Sequence, residues 1–510
     1  MITLWTIFAC TGTKSTSMDF APVFGVANMD DDNENGTVDW EEGLFDTEND
    51  TSTLVIPVEY FAQLGKKESL VIRQESDGFK VYVDGTLKMN SAEDFFTLGT
   101  KNTEEDVVLE IEMQQMNTSG TLTIEKQHNG SVVDTVEVEL ISVPMLVNHH
   151  LQPAEHVYAM SGSGFVNNQD FIHGFQDALG NRFSSFNVSG YEWDVWIQDE
   201  LEFSSLYSPE SRLNIVIDSI RNRGLDDLPE NEFETPDYAV HTWGRGMATS
   251  QDSFGNLEAS PPIAGHPYGR IYYGEWSYAS GVDTITPDLT SALTAQHIQS
   301  PFTLDVSFLC VGHVDEYQSF IPDPSSPKGF KYVLADVTAG YEFLESLPSS
   351  MSLPKYTNDH HYASVGAILA DNALRRLNED IQIDYLDVTW EKMQQELGLT
   401  EEDVIRIPML FEEAYQCGGY TATLFPSTLN MVVVTHDDGA SADIIFPDPY
   451  LRSNVQDQSS DVFINHVNTL LPTANTAHWV DDWSEYHMML GEVHCGSNTL
   501  RTPMYEPWNE

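Results

Sequence analysis

Cys495 stands in Gly491-Glu492-Val493-His494-Cys495-Gly496-Ser497-Asn498, among glycines and polar groups rather than in an apolar stripe. That setting suits a nucleophile better than a structural thiol. In Gly312-His313-Val314-Asp315-Glu316, His313 and Asp315 are two residues apart, and on a strand they would share a face. There the carboxylate could orient the ring for acid–base work, although the triplet alone reads as a hydrogen-bonded pair. The segment Trp196-Ile197-Gln198-Asp199-Glu200-Leu201-Glu202-Phe203, taken as extended, places Gln198, Glu200 and Glu202 on one face and Asp199 on the other. Trp193, Trp196 and Phe203 argue for partial burial, and buried carboxylates need cations to stay ionised. Asp218-Ser219-Ile220-Arg221-Asn222-Arg223 follows the apolar run Leu213-Asn214-Ile215-Val216-Ile217, setting oxygen ligands at a strand end. A further stretch, Asp31 to Glu42, fits a twelve-residue calcium loop, with the solvated acidic turn as the bland alternative.

The elements that must position these residues fall into two regions. Residues 21–146 carry short alternating runs such as Lys80-Val81-Tyr82-Val83 and Val136-Glu137-Val138-Glu139-Leu140-Ile141, and Asp84-Gly85 and Asn129-Gly130 are hairpin signals. This predicts a β-sandwich. Residues 147–510 mix strands with helical patterns, among them Ala363–Asn378 and Trp390–Leu399, and read as one α/β domain. Residues 1–20 read as a leader or a disordered segment: Leu4–Cys10 has the apolar core of a signal peptide without the basic region before it. Export, to the medium or the cell surface, is therefore favoured over a cytoplasmic location.

Across 510 residues there are 23 Lys plus Arg against 80 Asp plus Glu, a formal charge of −57. Such a balance excludes nucleic-acid or anionic-membrane binding through a basic face. Hydrophobic residues at 41% exclude an acidic disordered polymer. No apolar run reaches the ~20 residues of a membrane helix. The four cysteines are too few and too scattered for a disulfide scaffold, and no CxxC pair suggests zinc.

Asp199, the His313/Asp315 pair and Cys495, in this order, resemble the protein-arginine deiminases of the guanidino-group modifying superfamily. The segments 196–203, 218–225, 252–262 (DSFGNLEASPP), 311–320 (VGHVDEYQSF), 396–411 (ELGLTEEDVIRIPMLF) and 491–498 all look like family segments. The resemblance implies an α/β five-bladed, pseudo-symmetric propeller for 147–510 and an immunoglobulin-like calcium-binding domain for 21–146. It implies calcium-dependent hydrolysis of peptidyl-arginine to peptidyl-citrulline and ammonia. Asp199 and Asp315 would hold the guanidinium, Cys495 would attack it to give a covalent thiouronium, and His313 would move protons. Trp196 would pack along the arginine and Arg223 would hydrogen-bond substrate backbone. Calcium would bind through Gln198, Glu202 and Glu258 with the carbonyls of Phe254 and Leu257, and through Glu200, Asp218, Ser219 and Asn222. Further calcium ligands would be Asn28, Asp30, Asp32, Asp39, Glu42 and Asp50, with Asp237.

Two departures stand out: Val195 and Met489 occupy places where animal members of the family carry arginine. Room for a single β domain before the catalytic region is another. The partners expected are arginine-containing proteins or peptides, with no nucleic acid and no integral membrane segment, and a homodimer is left open. The rival readings are a deiminase of free arginine or another small guanidine, and a non-catalytic calcium-binding surface protein.

Overall fold

The computed structural model describes residues 19–503 apart from 34, 36, 43–49, 210, 237 and 280. The chain forms two compact units, one of residues up to 28, 45–143 and 208–211, the other of 29–44, 144–207 and 212 onward.

The first unit is built from two sheets. One has the order Val23–Gly25, Ser131–Ser142, Thr118–His128, Glu68–Gln74, Phe95–Thr100, and the other Thr51–Ile56, Val107–Met113, Phe79–Val83, Thr86–Met89. Alternate residues of both sheets, Leu70, Ile72, Leu122, Ile124, Leu54, Ile56, Leu109 and Ile111 among them, point into one core. The two hairpin signals act as read. Asp84-Gly85 (φ 49° and 66°) joins Phe79–Val83 to Thr86–Met89, and Asn129-Gly130 (φ 51° and 80°) joins Thr118–His128 to Ser131–Ser142. Positive φ at both turn residues matches the right-handed twist of the flanking strands.

In the second unit one wiring recurs five times. A strand pairs antiparallel with the next, and that strand pairs parallel with a third reached after a helix-bearing connection. The sets are Leu201–Tyr207, Arg212–Asp218 and Tyr238–Thr242; then Leu257–Ala259, Ile271–Tyr278 and Phe302–Asp305. Next come Gln318–Pro322, Phe330–Asp336 and Val404–Pro408, and Val432–Thr435, Ala442–Pro447 and Thr476–Val480. The fifth joins the end of this region to its start: Ser497–Arg501 lies antiparallel to Ala154–Ser161, which lies parallel to Phe183–Asn187. Parallel pairs need such crossovers, and the helix between them covers a sheet face. The helix Gln169–Leu179, for instance, buries Phe171, Phe175 and Leu179, one turn apart.

The helical pattern at 363–378 resolves into Val365–Ala370 and Asn372–Ile381, because the Asp371 carboxylate accepts the Ala373 and Leu374 N–H groups and starts a second helix. The pattern at 390–399 is the end of Asp387–Leu397, which stops at Gly398 (φ 62°). No helix among the described residues is long and apolar enough to cross a membrane.

Candidate active site

The segments just before the first strand of each set supply the chemistry. Ile197–Glu200, a single helical turn, carries Asp199; Phe254–Asn256 lies before the second set; and the turn Val314–Glu316 with the preceding His313 lies before the third. Residues 427–430 bring Asn430 before the fourth, and 492–496 bring His494 and Cys495 before the fifth. A repeated connection therefore converges side chains that are as much as 296 residues apart in sequence onto one buried spot, as the distances below show.

Asp315 is its hub. Its Oδ2 accepts the Asn430 Nδ2 amide at 2.7 Å and the His494 Nδ1 at 2.8 Å, and lies 3.8 Å from the Cys495 Sγ. Asn430 Nδ2 also lies 3.3 Å from that sulfur, and Asn430 Oδ1 accepts the backbone N–H groups of His494 (3.1 Å) and Cys495 (3.2 Å). His313 donates from Nε2 to the Ser250 carbonyl at 2.9 Å. A carbonyl can only accept, so the neutral ring carries its proton on Nε2 and offers the Nδ1 lone pair. That Nδ1 is 3.9 Å from Asp199 Oδ1 and, like Asp315 Oδ1, is buried without a hydrogen-bond partner. Gly255 lies against both groups: a Cβ there would come within 2.9 Å of His313 Nδ1 and of Asp315 Oδ2, so glycine keeps this space open. The Trp196 ring crosses Gly491 and meets Tyr486 edge-on, with ring centres 5.4 Å apart. A cavity of about 260 Å³ reaches Cys495, lined also by Asn430, Glu492, His360 and His487.

Two expectations need correcting. His313 and Asp315 do not share a strand face, because they sit in a tight turn; Asp315 orients His494, and His313 is fixed by Ser250 instead. The 196–201 stretch is not extended either. The Gln198 N–H bonds the Cys495 carbonyl (3.3 Å) and the Asp199 N–H bonds the Trp196 carbonyl (3.0 Å), forming a helical turn. A turn brings residues four apart together, and so the acids divide. Gln198 Nε2 donates to Glu202 Oε2 (2.8 Å) and to the Phe254 carbonyl (3.3 Å), in a small cavity that Glu258 also lines, while Leu257 opens the strand beside it. Glu200 faces Asp218 instead. Both Glu200 oxygens and Asp218 Oδ1 are buried without a hydrogen-bond partner, Ser219 Oγ donates to the Asp252 carbonyl (2.8 Å), and Asn222 is exposed on the same loop.

Burial dominates the electrostatics here. It pushes Glu200 up to about 9, with Asp218 adding repulsion, and Asp218 up to about 7. It raises Glu202 strongly, helped by Glu258. The Cys495 thiol is pushed well above its usual range by burial and then by Asp315 and Asp199, so it rests protonated. Burial opposes charge on His494, but the bond to Asp315 and then Glu258 outweigh it and its pKa is raised. Hard oxygen ligands that are buried and unpartnered are what a calcium ion satisfies.

Arg223 does not point away to a peptide. It spans Asp194 (Nε to Oδ2, 2.8 Å) and Asp199 (2.9 Å), and Arg221 reaches the same Asp199 Oδ2 at 3.2 Å. Of the N-terminal candidates, Asn28 donates to Glu112 Oε1 (3.0 Å), and Asp50 is buried at the start of Thr51–Ile56. Within 29–44, Asp30 and Asp39 are buried, the Asp39 carboxylate accepts the Asp32 N–H (3.2 Å), and Glu42 is exposed and bonded by Asn33 and Asn35. Asp237 lies outside the described residues, as does the Leu4–Cys10 run.

Sequence reasoning gave no role to Asn430, His494, His150 or Arg221, and identified no cysteine pair. Cys310 and Cys417 form a disulfide that closes a span of 107 residues, tying the loop before His313 to the loop of Tyr415 and Gln416 at the cavity.

The family described as Protein-arginine deiminase (PAD) matches residues 132–510. The chain belongs to the protein-arginine deiminase family. It is 31% identical over 379 residues to protein-arginine deiminase type-4 of Homo sapiens, covering 72% of this chain and 55% of that protein. To type-1 of Mus musculus it is 35% identical over 326 residues, covering 62% and 47%. To type-3 of Homo sapiens it is 33% identical over 329 residues, again covering 62% and 47%. The chain spans about half the length of the curated deiminases it matches. Of the two positions where arginine was expected, Val195 is packed in the core and Met489 is exposed.

Proposed function

We propose that this protein is a calcium-dependent peptidyl-arginine deiminase, releasing ammonia from peptidyl-arginine to leave peptidyl-citrulline. One observation carries the reading: Asp199, His313, Asp315 and Cys495 converge with Asp315 Oδ1 and His313 Nδ1 unpartnered around a space kept open at Gly255. A planar guanidinium presents donors on several edges, and carboxylates on two sides of it satisfy them. Its positive charge, set between Asp199 and Asp315, removes the repulsion that holds the Cys495 proton on. The Cys495 proton passes to the free Nδ1 of His313, and the thiolate attacks the central carbon, giving a neutral tetrahedral adduct. His313, protonated at Nδ1, gives that proton to the departing amine, and ammonia leaves a covalent thiouronium. The same Nδ1 then takes a proton from water, whose oxygen attacks the carbon and expels the thiolate with citrulline. Burial of Cys495 and the Asn430 amide keep the sulfur aligned throughout.

Calcium would be held by Gln198, Glu202 and Glu258 with the Phe254 and Leu257 carbonyls, and by Glu200, Asp218, Ser219 and Asn222, where buried carboxylate oxygens lack a partner. When bound it supplies the positive charge those buried carboxylates lack. The turn of Asp199 lies between Gln198 and Glu200, so ligand order on either side fixes the substrate-binding carboxylate. Arg221 and Arg223 occupy Asp199 in the manner of a substrate guanidinium, and on this reading they release it when substrate binds, with Arg223 turning to peptide backbone. The recurrent wiring, closed by the pairing of Ser497–Arg501 with Ala154–Ser161, supports a five-bladed propeller, and the two-sheet unit supports an immunoglobulin-like domain. Export and the N-terminal calcium ligands are part of the same proposal.

The test is citrulline formation from an arginine peptide blocked at both ends, with calcium or with chelator, for the intact protein and for Cys495→Ala. Activity that needs both calcium and Cys495 is expected. Equal turnover in chelator would sink the calcium role, and faster turnover of free arginine would make this an enzyme for small guanidines.

A further inference from the structure

His150, Glu258 and His494 form a buried cluster whose ligand atoms all lie within 4.8 Å of one another. His150 Nε2 is 3.3 Å from Glu258 Oε2, and His494 Nε2 is 3.9 Å from Glu258 Oε1. The other nitrogen of each ring is already held: His150 Nδ1 by Ser319 Oγ at 2.9 Å and His494 Nδ1 by Asp315 Oδ2 at 2.8 Å. Both rings are thereby aimed, Nε2 first, at one carboxylate. Carboxylate and hydroxyl partners behind ligating histidines are the usual way a protein fixes ring orientation and basicity for a metal. A tetrahedral ion with bonds of 2.0–2.1 Å sets its ligand atoms about 3.3 Å apart, so the cluster needs only a slight closing movement. Arg501, in the same wall, has its guanidinium committed to the carbonyls of His150, Gln152 and Val433.

We propose that this cluster is a binding site for a divalent transition ion of zinc type, ligated by His150 Nε2, His494 Nε2 and the Glu258 carboxylate, and that it competes with calcium. Imidazole nitrogens select such ions over calcium, which takes oxygen. Glu258 would serve both ions, and the cavity it shares with Gln198 and Glu202, about 20 Å³, holds one at a time. The competition rests on the calcium reading above; the zinc site does not.

Zinc alone is titrated calorimetrically into the full chain. The intact protein and Cys495→Ala should bind it with equal affinity, and His150→Asn should lose roughly 100-fold. Ser319→Ala, which keeps all three ligands but frees the His150 ring, should lose about tenfold and guards against misfolding of the first variant. Cobalt in place of zinc should give the visible absorption of a tetrahedral ion. Unchanged zinc affinity in His150→Asn, or its loss in Cys495→Ala, would overturn the site, the latter by placing the metal on the thiolate. Zinc should also raise the calcium concentration needed for half-saturation, and independent binding of the two ions would overturn the exclusion. If the zinc-free protein takes up no calcium, the calcium reading falls while the His150-dependent site stands.

Discussion

Replacing Asn430 by alanine separates the structural from the chemical work of one side chain. Its Oδ1 is the acceptor for two buried N–H groups, those of His494 and Cys495, and its Nδ2 donates to Asp315 and lies against the Cys495 sulfur. Leaving a buried N–H unmet costs about 1–3 kcal/mol, so Asn430→Ala should destabilise the fold by about 2–6 kcal/mol in urea denaturation. A hydrogen bond to a charged partner contributes about 1.5–3 kcal/mol, and losing it from the thiolate-like transition state should lower kcat/KM by about 10- to 150-fold. The thiol pKa should also rise, moving the pH midpoint of iodoacetamide alkylation upward. Asn430→Asp restores an acceptor for both N–H groups, yet sets a third carboxyl beside Asp315 and the sulfur. It should recover part of the lost stability and none of the activity, with the alkylation midpoint higher still. If Asn430→Ala keeps wild-type kcat/KM and alkylation profile, the amide does not tune the nucleophile and the reasoning fails.

Calcium uptake by Glu200 and Asp218 should release about one proton at pH 7.5, because Glu200 with a pKa of about 9 is almost wholly protonated there and Asp218 at about 7 only partly, and uptake at Glu202, whose pKa is also raised, adds to that release. Calorimetry in buffers of different ionisation heat measures this, and a buffer-independent heat would refute it. The sign for the metal-free protein follows: both pKa values are raised on folding, so the folded state holds more protons and its stability falls as pH rises from about 4 towards 9, measured as a falling midpoint in urea. Arg221→Gln removes one of two guanidiniums on Asp199 Oδ2 and should lower KM for a blocked arginine peptide about two- to tenfold; a raised KM would mean that Arg221 binds substrate. The double change Cys310→Ser with Cys417→Ser opens a closed span of 107 residues and should cost about 4–5 kcal/mol of stability, read as a lowered Tm; an unchanged Tm would show that the unfolded chain gains no freedom from it.

What the sequence could show was local. The hairpins at Asp84-Gly85 and Asn129-Gly130 are visible because two adjacent residues with positive φ decide the turn. Cys495 and His313 are visible because a thiol and an imidazole among glycines announce themselves. The turn at 197–200 was not, because it is imposed from outside: the Gln198 N–H is held by the carbonyl of Cys495, almost three hundred residues away in the chain. Asn430 sits in Thr428-Leu429-Asn430-Met431, with no signature of chemistry; only its position two residues before a first strand, matching Asp199 and Cys495, marks it. The Cys310–Cys417 pair likewise depends on two loops meeting, through the bond from the Cys310 N–H to the Thr421 carbonyl at 2.8 Å, which no spacing rule contains.

The same burial that builds the site also keeps it inert when empty. Cys495 rests as a neutral thiol because it is out of water and near Asp315 and Asp199, and a neutral thiol is a poor nucleophile. On the proposed function, the carboxylates that suppress the thiolate are also the ones that receive the guanidinium, so the charge that activates the sulfur arrives with the molecule it attacks. Arg221 and Arg223 hold Asp199 through Oδ2, while His313 faces Oδ1. The proposed function then predicts selectivity for arginine over lysine from shape as well as charge, because a lysine ammonium has no planar fork to span Asp199 and Asp315.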